Sequence, residues 1–146
     1  AAGIMKPVAF SEAISEVTEL YYQTEKFQSA SPASGKKLFR EAEKKLQKLS
    51  RIYHRKEEQR RIALLLALTA ELLDESERAA LYYENLLLYD EGFRDGYGEY
   101  GMFLIREGQE EASRKLWKDY QEMEKENLLE EGKGRNLLLW EEINEN

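Results

Sequence analysis

Residues 62–92, IALLLALTAELLDESERAALYYENLLLYDEG, decide the fold. Over 62–73 only Thr69 and Glu71 interrupt the apolar run, so the segment is greasy on nearly every side. That pattern marks a buried central helix, and it is far shorter than the roughly 20 residues that span a bilayer. Asp74-Glu75-Ser76-Glu77 breaks the run, and Asp74 with Glu77 has the spacing of a capping box. Beyond the break, Ala79, Tyr82, Tyr83, Leu86 and Leu87 return to one face at helical spacing. Asp90-Glu91-Gly92 closes that second helix. Two helices joined by a tight turn are therefore expected at 56–73 and 77–89.

Upstream, Phe10, Ile14, Val17 and Tyr21 recur at helical spacing, widened by Ala13, Leu20 and Phe27, and predict a helix over 7–27. The Ser/Ala-rich stretch 28–35 reads as a loop, with Ser31 before Pro32 suited to an N-cap followed by proline at the first helical position. The next helix runs to about 54 on the stripe Leu38, Ala42, Leu46, Leu49 and Tyr53. Downstream, helices are expected over 93–107, ending at Gly108, and over 109–130, with Ala112, Leu116, Trp117, Tyr120 and Met123 inward. Gly132-Lys133-Gly134 is expected to end the latter, since glycine favours the left-handed turn that closes helices. A last helix spans 135–144. Period-two alternation is absent, so the expected fold class is all-α: three antiparallel pairs and a C-terminal capping helix.

The chain also repeats itself. Sliding it until Leu66-Ala67 falls on Tyr100-Gly101 brings Asp74 onto Gly108, Ala79 onto Ser113, Tyr83 onto Trp117 and Leu86 onto Tyr120. The match is in size and role rather than identity. A small residue stays where helices approach closely, a turn residue where the chain reverses, and an aromatic where the second helix meets the next unit. In these positions, together with Tyr97, the chain resembles the tetratricopeptide repeat, whose helix-turn-helix unit has the same period, about 34 residues. The resemblance implies a helical-hairpin solenoid in one domain over 1–146, with a divergent first pair at 7–54 and repeats at 56–90 and 93–131. The first pair departs from the family through its stretched loop, and Glu91 stands where a repeat often ends in proline.

The composition excludes much else. The chain is 42% hydrophobic and 35% charged, too apolar for disorder and too charged for a membrane-embedded protein. There is no cysteine, so disulfides and thiolate chemistry drop out. A net charge of −7 argues against general nucleic-acid binding. No export signal opens the chain, which leans the expected location slightly to the cytoplasm, although Ala1-Ala2-Gly3 also suits a processed terminus. The single histidine, His54, offers neither a metal cluster nor a triad, so no cofactor, metal or enzymatic activity is expected. Glycines 92, 96, 98 and 101 lack the Gly-Lys-Ser/Thr ending of a phosphate loop; Gly92 and Gly96 read as turn residues and Gly101 as a close-packing position.

Two features point to a binding function. In repeats of this family the first helices line a concave groove, which implies groove positions at Arg61, Leu64, Leu68 and Leu72, and at Asp95, Gly98, Met102, Ile105 and Arg106. An apolar floor edged by arginines suits an extended peptide or an amphipathic helix. The second feature is charge: between 36 and 61 lie 11 of the 22 basic residues against four acidic ones. Lys37, Arg40, Lys44, Lys48, Arg51 and Arg55 form one stripe, interleaved with Glu41 and Glu43, which read as solvated. The leading expectation is a protein-interaction scaffold with a protein or peptide partner and no nucleic-acid partner. The alternatives are a self-associating or structural subunit of a larger assembly, or a small-ligand carrier. In the last helix, Leu137, Trp140 and Ile143 are expected to turn inward near Leu116 and Tyr120, with Glu141, Glu142, Asn144 and Glu145 facing out.

Overall fold

The computed structural model describes residues 8–27 and 32–146. Those residues form seven α-helices and no strand: α1 (Phe10–Phe27), α2 (Pro32–Ser50), α3 (Lys56–Leu72), α4 (Ser76–Tyr89), α5 (Arg94–Arg106), α6 (Glu110–Lys125) and α7 (Arg135–Glu145). The chain is all-α, and no described helix is long and apolar enough to cross a membrane.

Several helix ends differ from the sequence reading, each for a local reason. α2 begins at Pro32, the expected first helical position, and so takes in residues 32–35 that composition assigns to a loop; the expected cap Ser31 lies outside the described residues. The same helix stops at Ser50 rather than near 54. Gln59, on the next helix, sends its amide to the carbonyls of Ser50 and Tyr53 at 2.9 and 2.5 Å, satisfying acceptors that the helix end leaves free. Asp74 does not open α4; it closes α3 in a left-handed conformation with φ 60°. The amide of Asp74 reaches Glu71 O and that of Glu75 reaches Ala70 O, a paired C-terminal cap.

Gly108 ends α5 the same way, at φ 72°, with its own amide on Ile105 O and that of Gln109 on Leu104 O. Asp74 and Gly108 stand 34 residues apart in the sequence, and the two turns share backbone conformation and hydrogen-bond pattern. A third such cap ends α6, but at Asn127 (φ 57°), with Leu128 N–H on Met123 O. The sixth helix therefore finishes well before Gly132. Asparagine is the residue most ready after glycine to adopt this conformation.

The chain divides into two compact units, 1–79 and 80–146. In the first, α2 packs on both α1 and α3. Val17, Ala42, Leu46, Ala67 and Ala70 are sealed from solvent, and Tyr21 of α1 reaches across to Thr69 and Phe39. In the second, α5 packs on both α6 and α7. Tyr83 of α4 stacks on Tyr100 with ring centroids 5.4 Å apart and also meets Phe103. Tyr97, Tyr120, Leu129, Leu137 and Trp140 form a buried cluster.

Candidate interaction faces

Helical spacing puts Lys37, Lys44 and Lys48 on one side of α2, whereas Arg51 and Arg55 of the expected stripe lie beyond its end at Ser50. Lys37, Lys44, Lys48, Arg51 and Arg55 are exposed and form no ion pair among the described residues. Arg40 belongs to the stripe by spacing but not by chemistry. It pairs with Glu75 and lies 3.9 Å from Glu43. Arg78 completes the group, 3.0 Å from Glu75 and 3.4 Å from Glu43. Hydrogen bonds from Arg78 and Arg40 hold the Glu75 carboxyl below its usual range. Glu43 is not the solvated interleaving charge that its spacing implies; it is buried, and its Oε2 has no hydrogen-bond partner among the described residues. A buried carboxylate without nearby cations is strongly unfavourable. Arg40 and Arg78 are thus shared between the Glu75 and Glu43 carboxylates, which leaves the other five cations of the stripe to solvent.

On α3, Arg61 is exposed, Leu64 half-buried, and Leu68 and Leu72 exposed at 39% and 40%. Four positions at helical spacing thus present an apolar strip with a cation at its N-terminal end. On the opposite side, Leu65, Leu66, Thr69 and Ala70 are buried. Burial pushes the Tyr21 hydroxyl up there, against the opposing effects of its hydrogen bond with Thr69 and of Arg61.

The positions implied for the groove on α5 are arranged differently. Asp95 accepts the Gly134 amide at 2.7 Å, and Glu99 accepts the Asn136 side chain at 2.9 Å. A Cβ at Gly98 would sit 2.4 Å from Leu137 Cα, and one at Gly101 would sit 2.1 Å from the Trp140 ring. Only glycine permits such an approach, and here it offsets the roughly 0.5–1 kcal/mol each glycine costs inside a helix. Met102 and Ile105 are half-buried against the same cluster, while Arg106 is exposed. The α5 half of the expected groove is therefore not open: the chain's own terminal helix occupies it. Gly96, read as a turn residue, is helical and faces Leu87 of α4.

The fastening of α7 adds a polar network that sequence reasoning missed. The Tyr120 hydroxyl lies 2.9 Å from Arg94, 3.2 Å from Glu124 and 3.1 Å from Glu141. Arg94 also bonds Glu124 at 2.6 Å and the Glu130 carbonyl at 2.8 Å, and Lys133 reaches Glu141 at 2.9 Å. Burial pushes the Tyr120 hydroxyl up, while the hydrogen bond from Arg94 opposes it. The same arginine holds Glu124 below the usual carboxylate range. Trp140 donates its indole N–H to Ser113, also buried, at 2.9 Å. Leu137 and Trp140 turn inward as expected, but Ile143 is 46% exposed and Glu141, expected outside, is buried. The chief partner of α7 is α5, and Ser113, Trp117 and Tyr120 of α6 also meet Trp140.

No family model, curated protein or solved structure matches the chain. His54 is exposed at the link between α2 and α3, and no group of three metal-ligating side chains converges among the described residues.

Proposed function

We propose that the chain is a protein-interaction module of tetratricopeptide-repeat type, whose antiparallel helix pairs stack as a short solenoid. It binds an extended peptide or an amphipathic helix of a protein partner. The shared geometry of the Asp74 and Gly108 turns, one repeat period apart, supports the repeat reading. The observation that carries the binding reading is the α3 strip: Leu68 and Leu72 are exposed on a helix whose other face is sealed, with Arg61 at one end. An exposed apolar row at helical spacing is the receiving half of helix-in-groove recognition. The solvated cations of α2 give the same unit a second, electrostatic surface, whose contribution falls with salt.

Peptide display against the intact chain tests this reading. Selected peptides are expected to carry an apolar anchor row, and to lose binding to a Leu68→Glu/Leu72→Glu variant. Selection of nothing, or of peptides indifferent to that variant, would overturn it.

A second reading, a subunit of a larger assembly, is favoured by the separation of charge. Residues 1–79 hold 14 basic and 12 acidic side chains, whereas 80–146 hold 8 and 17. Complementary surfaces on different copies or different subunits would then associate in a salt-sensitive manner. Sedimentation velocity across a salt series tests it, with a size change on lowering salt as the supporting result.

A further inference from the structure

The second unit holds a further cleft, which shares only Ile105 with the faces above. It runs along one side of α6, from Glu110 through Arg114, Trp117 and Lys118 to Gln121, and encloses about 690 Å³. At about 1.5 Å per residue that is roughly 16 Å, three turns of helix. Ile105 at the end of α5 and Ile143 on α7 supply the remaining apolar wall. Trp117 is only half-buried, and its ring stands edge-on to Trp140 with centroids 5.2 Å apart. The sealed indole of Trp140 thereby backs the one that lines the cleft.

The charges here run against the character of the unit. Carboxylates outnumber cations 17 to 8 in residues 80–146, and Arg94 and Lys133 are committed to the network around Tyr120. Arg114 and Lys118 nevertheless form no ion pair among the described residues, although both are exposed and Glu110 shares the cleft. They stand one turn apart on the same side of α6, where like charges repel by a few tenths of a kcal/mol. A carboxylate brought between them relieves that repulsion.

We infer that this cleft is a binding site for a short acidic peptide segment carrying one large apolar side chain. The apolar residue lies against Trp117, Ile105 and Ile143, and flanking carboxylates meet Arg114 and Lys118. Arginine can take a carboxylate in two parallel hydrogen bonds, which fixes orientation as well as charge. A polyanion such as nucleic acid fits poorly, because the surrounding unit repels a long run of negative charge. A segment held by its apolar anchor escapes that penalty: at physiological salt, screening acts beyond about 8 Å and leaves the nearest cations dominant. The site lies wholly within the second unit and stands independently of the faces on α2 and α3.

The test uses the intact chain and a synthetic, tryptophan-free peptide in which glutamates flank a single phenylalanine. Trp117 and Trp140 are the only tryptophans, and Trp140 is fully buried, so a change in emission on binding reports the cleft. Saturable binding with an emission change is expected. Affinity should fall at least tenfold in an Arg114→Gln/Lys118→Gln variant, and equally when the peptide's glutamates become glutamines. It should stay within twofold in Lys125→Gln, an exposed control on the same helix. An all-glutamate peptide should bind at least tenfold more weakly than the anchored one. No binding by the intact chain, equal binding by the double variant, or equal binding of the all-glutamate peptide would each overturn the proposal.

Discussion

Two helices of this chain bear positions that the expected repeat register equates, and these have opposite fates. On α5, Asp95, Gly98 and Met102 lie against the C-terminal segment, which is fastened by backbone, side chain and ring. On α3, Arg61, Leu64 and Leu68 occupy the corresponding places and remain exposed or half-exposed. The difference lies in bulk. Gly98 leaves room for the backbone of α7, whereas Leu64 carries a side chain at the corresponding point; Ala67, in the place of Gly101, is itself buried. Small residues make a helix face into a seat for another helix; leucines at the same spacing make it a ridge that a partner must groove around.

Removing the seated helix should have the largest effect. A chain ending at Gly134 exposes the surfaces that cover Leu137 and Trp140, both almost fully buried. Loss of cooperative unfolding in the second unit is expected, by far-UV circular dichroism and near-ultraviolet tryptophan signals. A truncated chain that unfolds like the full one would show that α7 is an appendage. Next in size is Gly101→Leu, which drives a side chain into the Trp140 ring. Overpacking of this kind costs about 1–3 kcal/mol, to be read from denaturant unfolding. At the place corresponding to Gly98 the bulk of a leucine is already present as Leu64 on the α3 strip, so Leu64→Gly there should cost no more than about 1 kcal/mol beyond its lost packing.

Tyr120→Phe is smaller. It removes one hydroxyl shared by Arg94, Glu124 and Glu141, and a loss of about 1–3 kcal/mol is expected if Glu141 is left short of a donor. Lys133 remains beside Glu141, which places the result toward the lower end. Acid titrates the same network. The Glu124 carboxyl sits below its unfolded value in the folded chain. Its contribution is therefore complete above the usual carboxylate pKa of about 4.3, and fades as pH falls through the lower folded value. The pair is partly exposed, so screening keeps the effect below about 1 kcal/mol. Thermal melts between neutral pH and about pH 3 should show it, and Glu124→Gln should flatten that part of the profile. The smallest change is expected from reversing Lys44, Lys48 and Arg51 to glutamate. Stability should move by less than about 0.5 kcal/mol, because exposed cations without ion pairs contribute little.

The helices, their order and the turn at Gly108 were legible because each rests on local signals: helical apolar spacing, a glycine, a break of polar residues. Legible too was the small residue at 101, although its partner proved to be Trp140 rather than a helix of its own pair. What could not be read locally was the pairing of side chains distant in sequence. Glu43 and Glu141 look like surface glutamates until Arg78 and Tyr120 are brought to them by the fold. Asn127 ends α6 although the glycines just beyond it are better suited by composition; the cap is decided by which carbonyls are free, not by residue preference alone. The occupation of the α5 face was hidden for the same reason. The expected repeat register names positions on α5, but whether a later segment returns to cover them depends on the fit of Leu137 and Trp140 to two glycines.

The most direct test of the contrast between a filled and an open face is hydrogen exchange on the intact chain. Backbone amides around Leu137 and Trp140 are expected to exchange as slowly as those of α5 around Tyr97 and Gly101, because seat and occupant open together. Exchange in α7 many-fold faster than in α5 would contradict this account, and would make the α5 face as open as the strip on α3.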